Sequence, residues 1–235
     1  PVATAKPSVK MTDCAWTWPT VLAAAMSETS VPPDGVAWAM DRILDDQATS
    51  AQIAAFVTAL RVRGESPEHV RALVDSMMER AVLIDPEQRP SVVVDVVGTG
   101  GDGSNSVNIS TMTALVVAAA GAPVIKHGNR AASSATGSAD ALEALGVRIE
   151  LSGAAVAACT REVGIGFCFA PAFHPALRFA GPTRRELGVP TVFNVAGPLA
   201  NPARPEAMLV GCARAESAPV MAQVLADRGV SVIVV

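Results

Sequence analysis

The sequence predicts an α/β fold in which a small N-terminal helical domain is hinged to a larger domain built on a mainly parallel sheet. Three observations carry this. Residues 16–82 show only helical periodicity. From residue 92 strand-like and helix-like runs alternate, the pattern of helices laid on the faces of a parallel sheet. Between them Asp85-Pro86-Glu87-Gln88-Arg89-Pro90 forms a polar connector bracketed by prolines. The domains are therefore expected at 13–88 and 89–235, after a disordered tail at 1–12 that holds Pro1, Pro7 and little hydrophobic pattern.

The helical part follows from faces and caps. Residues 35–44 place Val36, Met40, Ile43 and Leu44 on one side. Residues 51–62 carry Ile53, Phe56, Val57 and Leu60, with Ser50 as cap and Gly64 as stop. Ser66 caps the next helix, Pro67 opens it, and Val70, Leu73, Val74, Met77 and Met78 form its stripe, the methionines serving as core filler. His69, between Glu68 and Arg71, reads as a solvated surface residue. Arg61 and Arg63 near a helix end suit the dipole.

The second part alternates. Strand 92–97 leads to helix 110–120, and strand 123–126 to helix 138–145, capped by Ser138 and ended by Gly146. Strand 147–151 leads to helix 153–163 between Ser152 and Gly164. Strand 165–169 enters a long irregular stretch, part of which, within 171–190, is expected to pack on the helical domain. Strand 207–212 precedes helix 217–228, capped by Ser217 and ended by Gly229. The run 230–235 reads as an inner, buried strand, so the α/β unit is read as incomplete at the C-terminus and the chain as a fragment of a longer protein. Ligands of such sheets gather beyond the carboxyl ends of the strands, and Gly98, Lys126 and Ala170 are expected on one such rim.

Composition narrows the function. Half of the 235 residues are apolar (50%), enough for a sizeable core. A net charge of −4, no basic run, and no tyrosine beside few other rings argue against nucleic-acid binding. No apolar stretch reaches transmembrane length and no signal peptide is visible. Cys14, Cys159, Cys168 and Cys212 lack Cys-x-x-Cys spacing and read as free thiols of a cytoplasmic protein.

The chemistry concentrates between Asp95 and Ser134. The β-branched run ending at Val97 meets Gly98-Thr99-Gly100-Gly101-Asp102-Gly103, whose glycines can adopt positive φ and let backbone N–H groups cup an anion. A helix start follows at Asn108-Ile109-Ser110-Thr111, with Asn108 or Ser110 as N-cap, and adds dipole and N–H groups. Lys126-His127-Gly128-Asn129-Arg130 then supplies a cationic loop. The set suits a polyphosphate. The hexapeptide also matches the Gly-x-Gly-x-x-Gly dinucleotide fingerprint. Here, however, the polar Ser104-Asn105-Ser106-Val107 delays the helix, and the next strand ends in Lys126 and His127 rather than an acid for a ribose diol. His127 reads as a site residue, and His174 before Pro175 as either a structural hydrogen-bonder or a substrate contact. Arg184-Arg185-Glu186 fits a solvated helix start as well as a site, and the Asn201-Pro202 turn reads as architectural.

These motifs, with Gly137-Ser138-Ala139-Asp140, His174-Pro175, Arg184-Arg185-Glu186-Leu187-Gly188 and Phe193-Asn194-Val195-Ala196-Gly197-Pro198-Leu199-Ala200-Asn201-Pro202, resemble the anthranilate phosphoribosyltransferases of tryptophan biosynthesis, from about Trp16 to Val235. The resemblance implies a nucleoside phosphorylase/phosphoribosyltransferase-like fold and a cytoplasmic homodimer joined through the small domain. It implies transfer of phosphoribose from phosphoribosyl pyrophosphate to the amino group of anthranilate, with Mg2+ and release of pyrophosphate. It assigns Gly98, Gly101, Asp102, Ser106, Asn108, Ser110, Thr111, Lys126 and Ser138 to phosphoribosyl pyrophosphate, and Ser110 also to the metal. It assigns Gly98, Asn129 and Arg184 to anthranilate, with His127 and His174 lining its path. A second metal element of the family, an Asp-Glu pair, belongs to a segment beyond the strand at 230–235. Two other readings stand beside this one: a pyrimidine nucleoside phosphorylase-like enzyme, and a non-catalytic homologue that binds a phosphate ligand.

Overall fold

The computed structural model describes residues 16–101, 103, 107–131 and 136–235. The predicted tail, Cys14, Asp102 and Ser106 lie outside the described residues.

Four helices come first: α1 (Trp18–Met26), α2 (Pro33–Leu44), α3 (Ser50–Arg63) and α4 (Pro67–Glu79). The cap of α3 is Thr49, one residue before the predicted Ser50. Its hydroxyl accepts from the Gln52 amide, and the Gln52 side chain accepts from the Thr49 N–H at 2.9 Å, a reciprocal pair that needs Gln three residues on. Ser66 and Pro67 open α4 as expected, and the predicted stripe of α4 is buried. His69 corrects the surface reading. It is buried, and its Nε2–H donates to the Val31 carbonyl at 2.8 Å, because packing of α4 on α2 turns it under the 27–32 loop.

The connector is tied down along its length. The Val82 N–H donates to Phe173, the Ile84 N–H donates to Pro202, and buried Arg89 pairs with Glu206 at 2.8 Å. Glu206 also accepts from the Val93 N–H at 2.9 Å, which sets the start of the sheet.

The sheet is formed by β1 (Val94–Gly98), β2 (Val124–Gly128), β3 (Ile165–Phe169), β4 (Ala207–Gly211) and β5 (Ser231–Val234). Its order is β3-β2-β1-β4-β5 and every pairing is parallel. The helices are α5 (Ile109–Ala119), α6 (Ser138–Ala144), α7 (Gly153–Val163), α8 (Ala170–Phe173), α9 (Gly181–Leu187), α10 (Val192–Ala196) and α11 (Ala218–Ala226).

Three expectations are corrected here. Residues 147–151 form no strand: β2 pairs directly with β3, and the apolar alternation instead buries Ile149 beneath α6 and sets Leu151 beside α7. The cap of α6 is Gly137, not Ser138; the Asp140 carboxylate accepts from the N–H groups of Gly137 at 2.8 Å and Ala131 at 3.0 Å. Ser217 does not cap α11 through its side chain, because a 3-10 turn at Ala215–Ser217 runs straight into the helix. In this chain β5 is the last strand of the order, paired in parallel with β4, and its side chains alternate in exposure.

One continuous core runs from the helical layer onto a sheet face, joining Met40, Phe56, Leu73 and Met77 to Val97, Met208, Val210 and Leu225. Each such side chain contributes roughly 1.5–3 kcal/mol on burial. The turn at Pro175–Phe179 packs on α2, α9 on α3, and both α10 and α11 on α4. The opposite face buries Val96 and Val124 under Ala114 of α5. The chain starts in the middle of the sheet, builds toward β3, then crosses back to β4. The reversal lies between β1 and β4, where open α/β sheets place ligands.

Candidate active site

The glycine turn grows out of that reversal. Gly98 is in register with Gly211, and a Cβ on Gly98 would sit 3.5 Å from the Gly211 carbonyl. The Thr99 N–H donates to Gly211, and the Thr99 hydroxyl accepts from the Ala213 N–H at 3.0 Å, so the turn leaves the sheet pinned to β4. Gly100, Gly101 and Gly103 then take φ of 60°, 76° and 66°, a region that only glycine enters without strain.

Three cations behave differently. Lys126 lies within β2 rather than after it, and is 2% exposed. Its ammonium donates to the Val96 carbonyl at 2.6 Å and to the Ser110 hydroxyl at 3.1 Å, which places it between the turn and the start of α5. Burial pulls it down to about 8, with Asp95 opposing, so it remains a cation at neutral pH. Arg184, on α9, stacks over Phe193 with 5.0 Å between guanidinium carbon and ring, and burial lowers its pKa. No carboxylate among the described residues pairs with it. Arg130 is different: its guanidinium pairs with Asp140 and Glu143 and rests over Phe169, so it serves the structure of the loop rather than its charge.

A buried cluster of one carboxylate and two imidazoles supports this rim. The Asp95 carboxylate accepts from the His127 N–H at 3.1 Å and from the Asn201 amide at 2.8 Å, and burial raises it to about 6. The rings of His127 and His174 lie 5.3 Å apart. Burial, then His174 and Lys126, lowers His127 to about 3, and burial lowers His174 too, so both imidazoles are neutral. The Nε2–H of His174 donates to Ala200 at 2.7 Å.

A cavity of about 930 Å³ opens over the strand ends. Among the predicted residues Gly98, Gly101, Asn108, Ser110, Lys126, His127, Asn129, Ser138 and Arg184 line it. Thr111 does not; it is turned beneath α5, buried, with its hydroxyl unpaired. His174 does not line it either, and stands behind His127. Met77, Leu177 and Phe193 also line the cavity, and of these sequence reasoning missed Met77 and Phe193 as site residues. Met77 read as core, and its only signal was a place at the last turn of a helix facing the sheet. No aspartate or glutamate among the described residues lines the cavity, while Lys126 and Arg184 do, so it attracts anions. No group of three or more His, Cys, Asp or Glu side chains among the described residues could cage a metal, while the Ser110 hydroxyl, beside Lys126 in the cavity lining, is an oxygen of the kind magnesium takes. No helix among the described residues is long and apolar enough to cross a membrane.

A parallel sheet with an anion-attracting cavity at its reversal, roofed by a helical bundle, defines a class that the comparisons identify. Residues 90–235 match the model of the glycosyl transferase family a/b domain, and residues 19–81 that of the family's helical bundle domain. The chain belongs to this glycosyl transferase family. It is 61% identical over 221 residues to the anthranilate phosphoribosyltransferase of Rhodococcus opacus, covering 93% of this chain and 60% of that protein. It is 63% identical over 199 residues to that of Nocardia farcinica, covering 85% and 57%. The crystal structure of anthranilate phosphoribosyltransferase from Thermus thermophilus superposes with a TM-score of 0.82 at 42% identity, over 89% of this chain and 63% of that one. The Saccharomyces cerevisiae enzyme in complex with phosphoribosyl pyrophosphate and magnesium gives 0.83 at 27% identity, over 92% and 64%. The chain thus spans about 60% of the length of the curated relatives it matches. These relatives favour neither the nucleoside phosphorylase nor the non-catalytic reading.

Proposed function

We propose that the chain carries the substrate cavity of an anthranilate phosphoribosyltransferase, which moves phosphoribose from phosphoribosyl pyrophosphate to the anthranilate amine and releases pyrophosphate. One observation carries the reading. The Lys126 ammonium is buried between the glycine turn and the start of α5, in a cavity that Arg184 also lines and that holds no carboxylate among the described residues.

Two phosphate-bearing ends on one sugar call for many donors and a cation. Gly98, Gly101, Asn108, Ser110, Lys126 and Ser138 supply them, with Asp102 and Ser106 of the same loop assigned by family resemblance. Arg184 offers a planar fork to the anthranilate carboxylate, and Asn129 lies beside the same space. His127, neutral, lines the path of an aromatic amine that needs orientation rather than a strong base. Thr111 and His174 are not kept as direct contacts.

The donor set fits a magnesium carried by the pyrophosphate, for which the Ser110 hydroxyl is one oxygen. Such an ion, when bound, neutralises charge on the leaving group. The proposal extends to a cytoplasmic homodimer, supported by the free thiols of Cys159, Cys168 and Cys212 and by the family resemblance.

Calorimetric titration with phosphoribosyl pyrophosphate and MgCl2, followed by a pyrophosphate-release assay with anthranilate, tests the reading. Saturable binding and anthranilate-dependent release support it. No binding, or phosphorolysis of thymidine in place of release, overturns it.

A further inference from the structure

We propose that Asp95 is a positioning residue: through Asn201 its carboxylate fixes the cavity wall at Gly197 and Pro198 to the strand that carries Lys126. The inference rests on the functional reading for the identity of the ligand, and on the hydrogen bonds alone for the clamp itself.

Asp95 lies in the middle of β1, is 0% exposed, and does not line the cavity. Its two oxygens serve different elements. Oδ1 accepts from the His127 N–H of β2 at 3.1 Å, and Oδ2 accepts from Asn201 Nδ2 at 2.8 Å. Asn201 is used completely. Its amide also donates to the Ile125 carbonyl of β2 at 2.8 Å, and its Oδ1 accepts from the Ala203 N–H at 2.8 Å. One residue back, Ala200 accepts from His174; one residue on, Pro202 accepts from the Ile84 N–H of the connector. Residues 197–203 are thereby held to β1, to β2, to the end of α8 and to the connector. Gly197 and Pro198 are the part of this loop that meets the cavity.

Burial of the Asp95 carboxylate costs stability that the nearby Lys126 charge offsets only in part, so its hydrogen bonds are expected to serve an end that an apolar pair would not. Both partners of Asp95 are donors, so the site demands two acceptor oxygens. Asn is isosteric but turns an NH2 toward one of the two donors, and one bond must fail.

The test uses Asp95→Asn in the 235-residue chain, with hydrogen exchange read over 124–128 and 197–203 and with phosphoribosyl pyrophosphate and MgCl2 titrated by calorimetry. The expected result is exchange at least tenfold faster in both segments and association weakened at least tenfold, in a variant that still melts cooperatively. Thr160→Val is the control. It removes another buried bond, Thr160 Oγ1 to Val156 at 2.9 Å, away from the cavity, and should move neither readout. If Asp95→Asn does not fold, Asn201→Ala cuts the same clamp and is read the same way. Unchanged exchange over 197–203 overturns the clamp. Faster exchange with unchanged association overturns its positioning role. A parent chain that binds no phosphoribosyl pyrophosphate overturns the functional reading instead, while the exchange comparison still decides the clamp.

Discussion

The Lys126 ammonium donates to the Ser110 hydroxyl across 3.1 Å, joining the second strand of the sheet to the first turn of α5. The same ammonium donates to Val96 on the neighbouring strand. Two of its three protons are thus fixed by the fold, and the third has no acceptor among the described residues. Lys126→Met keeps the buried stem and removes the charge. We expect the association constant for phosphoribosyl pyrophosphate with MgCl2 to fall about 10- to 150-fold, the equivalent of a charge-assisted bond of about 1.5–3 kcal/mol. Calorimetry measures it, with circular dichroism confirming the fold; undiminished binding would remove Lys126 from the site.

The glycines around the cavity differ in what they tolerate. A Cβ on Gly137 would lie 2.3 Å from the Ala131 nitrogen and 2.5 Å from the Arg130 carbonyl carbon, both backbone atoms that cannot swing away. A Cβ on Gly100 meets nothing within 4 Å and faces only its φ of +60°. Gly137→Ala should therefore cost about 1–3 kcal/mol or more by overpacking, and Gly100→Ala nearer to about 1 kcal/mol of backbone strain. Urea unfolding of the two variants checks the order. The reverse order would show that the loop beside Gly137 yields more readily than its packing implies.

Much of this was legible in the sequence. Caps and stops gave α4 and α7 almost to the residue, because Ser66-Pro67 and the pair Ser152 and Gly164 act locally. The phosphate-type turn was legible because glycine at positive φ has few other uses. What failed was tertiary. Ile149 and Leu151 alternate like a strand, but β2 and β3 already pair and leave no slot. His69 sits among charged neighbours in sequence but under a loop in space. Arg130 read as ligand charge until Asp140 and Glu143, a helix away, came within reach. Asp95 stood in a valine run with no local sign of Asn201, 106 residues on, as its partner.

Arg184 owes its value to shape as well as charge. It stacks on Phe193 and faces the cavity without a carboxylate among the described residues. Lysine would keep the charge and lose both the fork and the stack. Arg184→Lys should weaken anthranilate binding at least tenfold, followed by anthranilate fluorescence, and leave phosphoribosyl pyrophosphate binding within about twofold. Equal loss of both ligands would place Arg184 with the phosphate rather than the carboxylate.

Acid should loosen the fold through the buried histidines. His127 is lowered to about 3 and His174 is lowered from 6.5, both first by burial. Below pH 6.5 the unfolded chain therefore binds protons that the folded chain refuses, and stability is lost as pH falls, by up to about 1.4 kcal/mol per pH unit for each. Asp95 acts in the opposite sense. Raised from 3.8 to about 6, it takes its proton first in the folded state, and so adds stability as pH falls through that window. Two histidines against one carboxyl leave a net loss of stability as pH falls below 6.5, which Asp95 offsets in part. His174→Gln can still donate to Ala200 and cannot titrate. Urea unfolding at pH 7.5, 6.2 and 5 should show a shallower acid limb for the variant than for the parent. Parallel limbs would mean that His174 is protonated in the folded chain and that burial does not govern it.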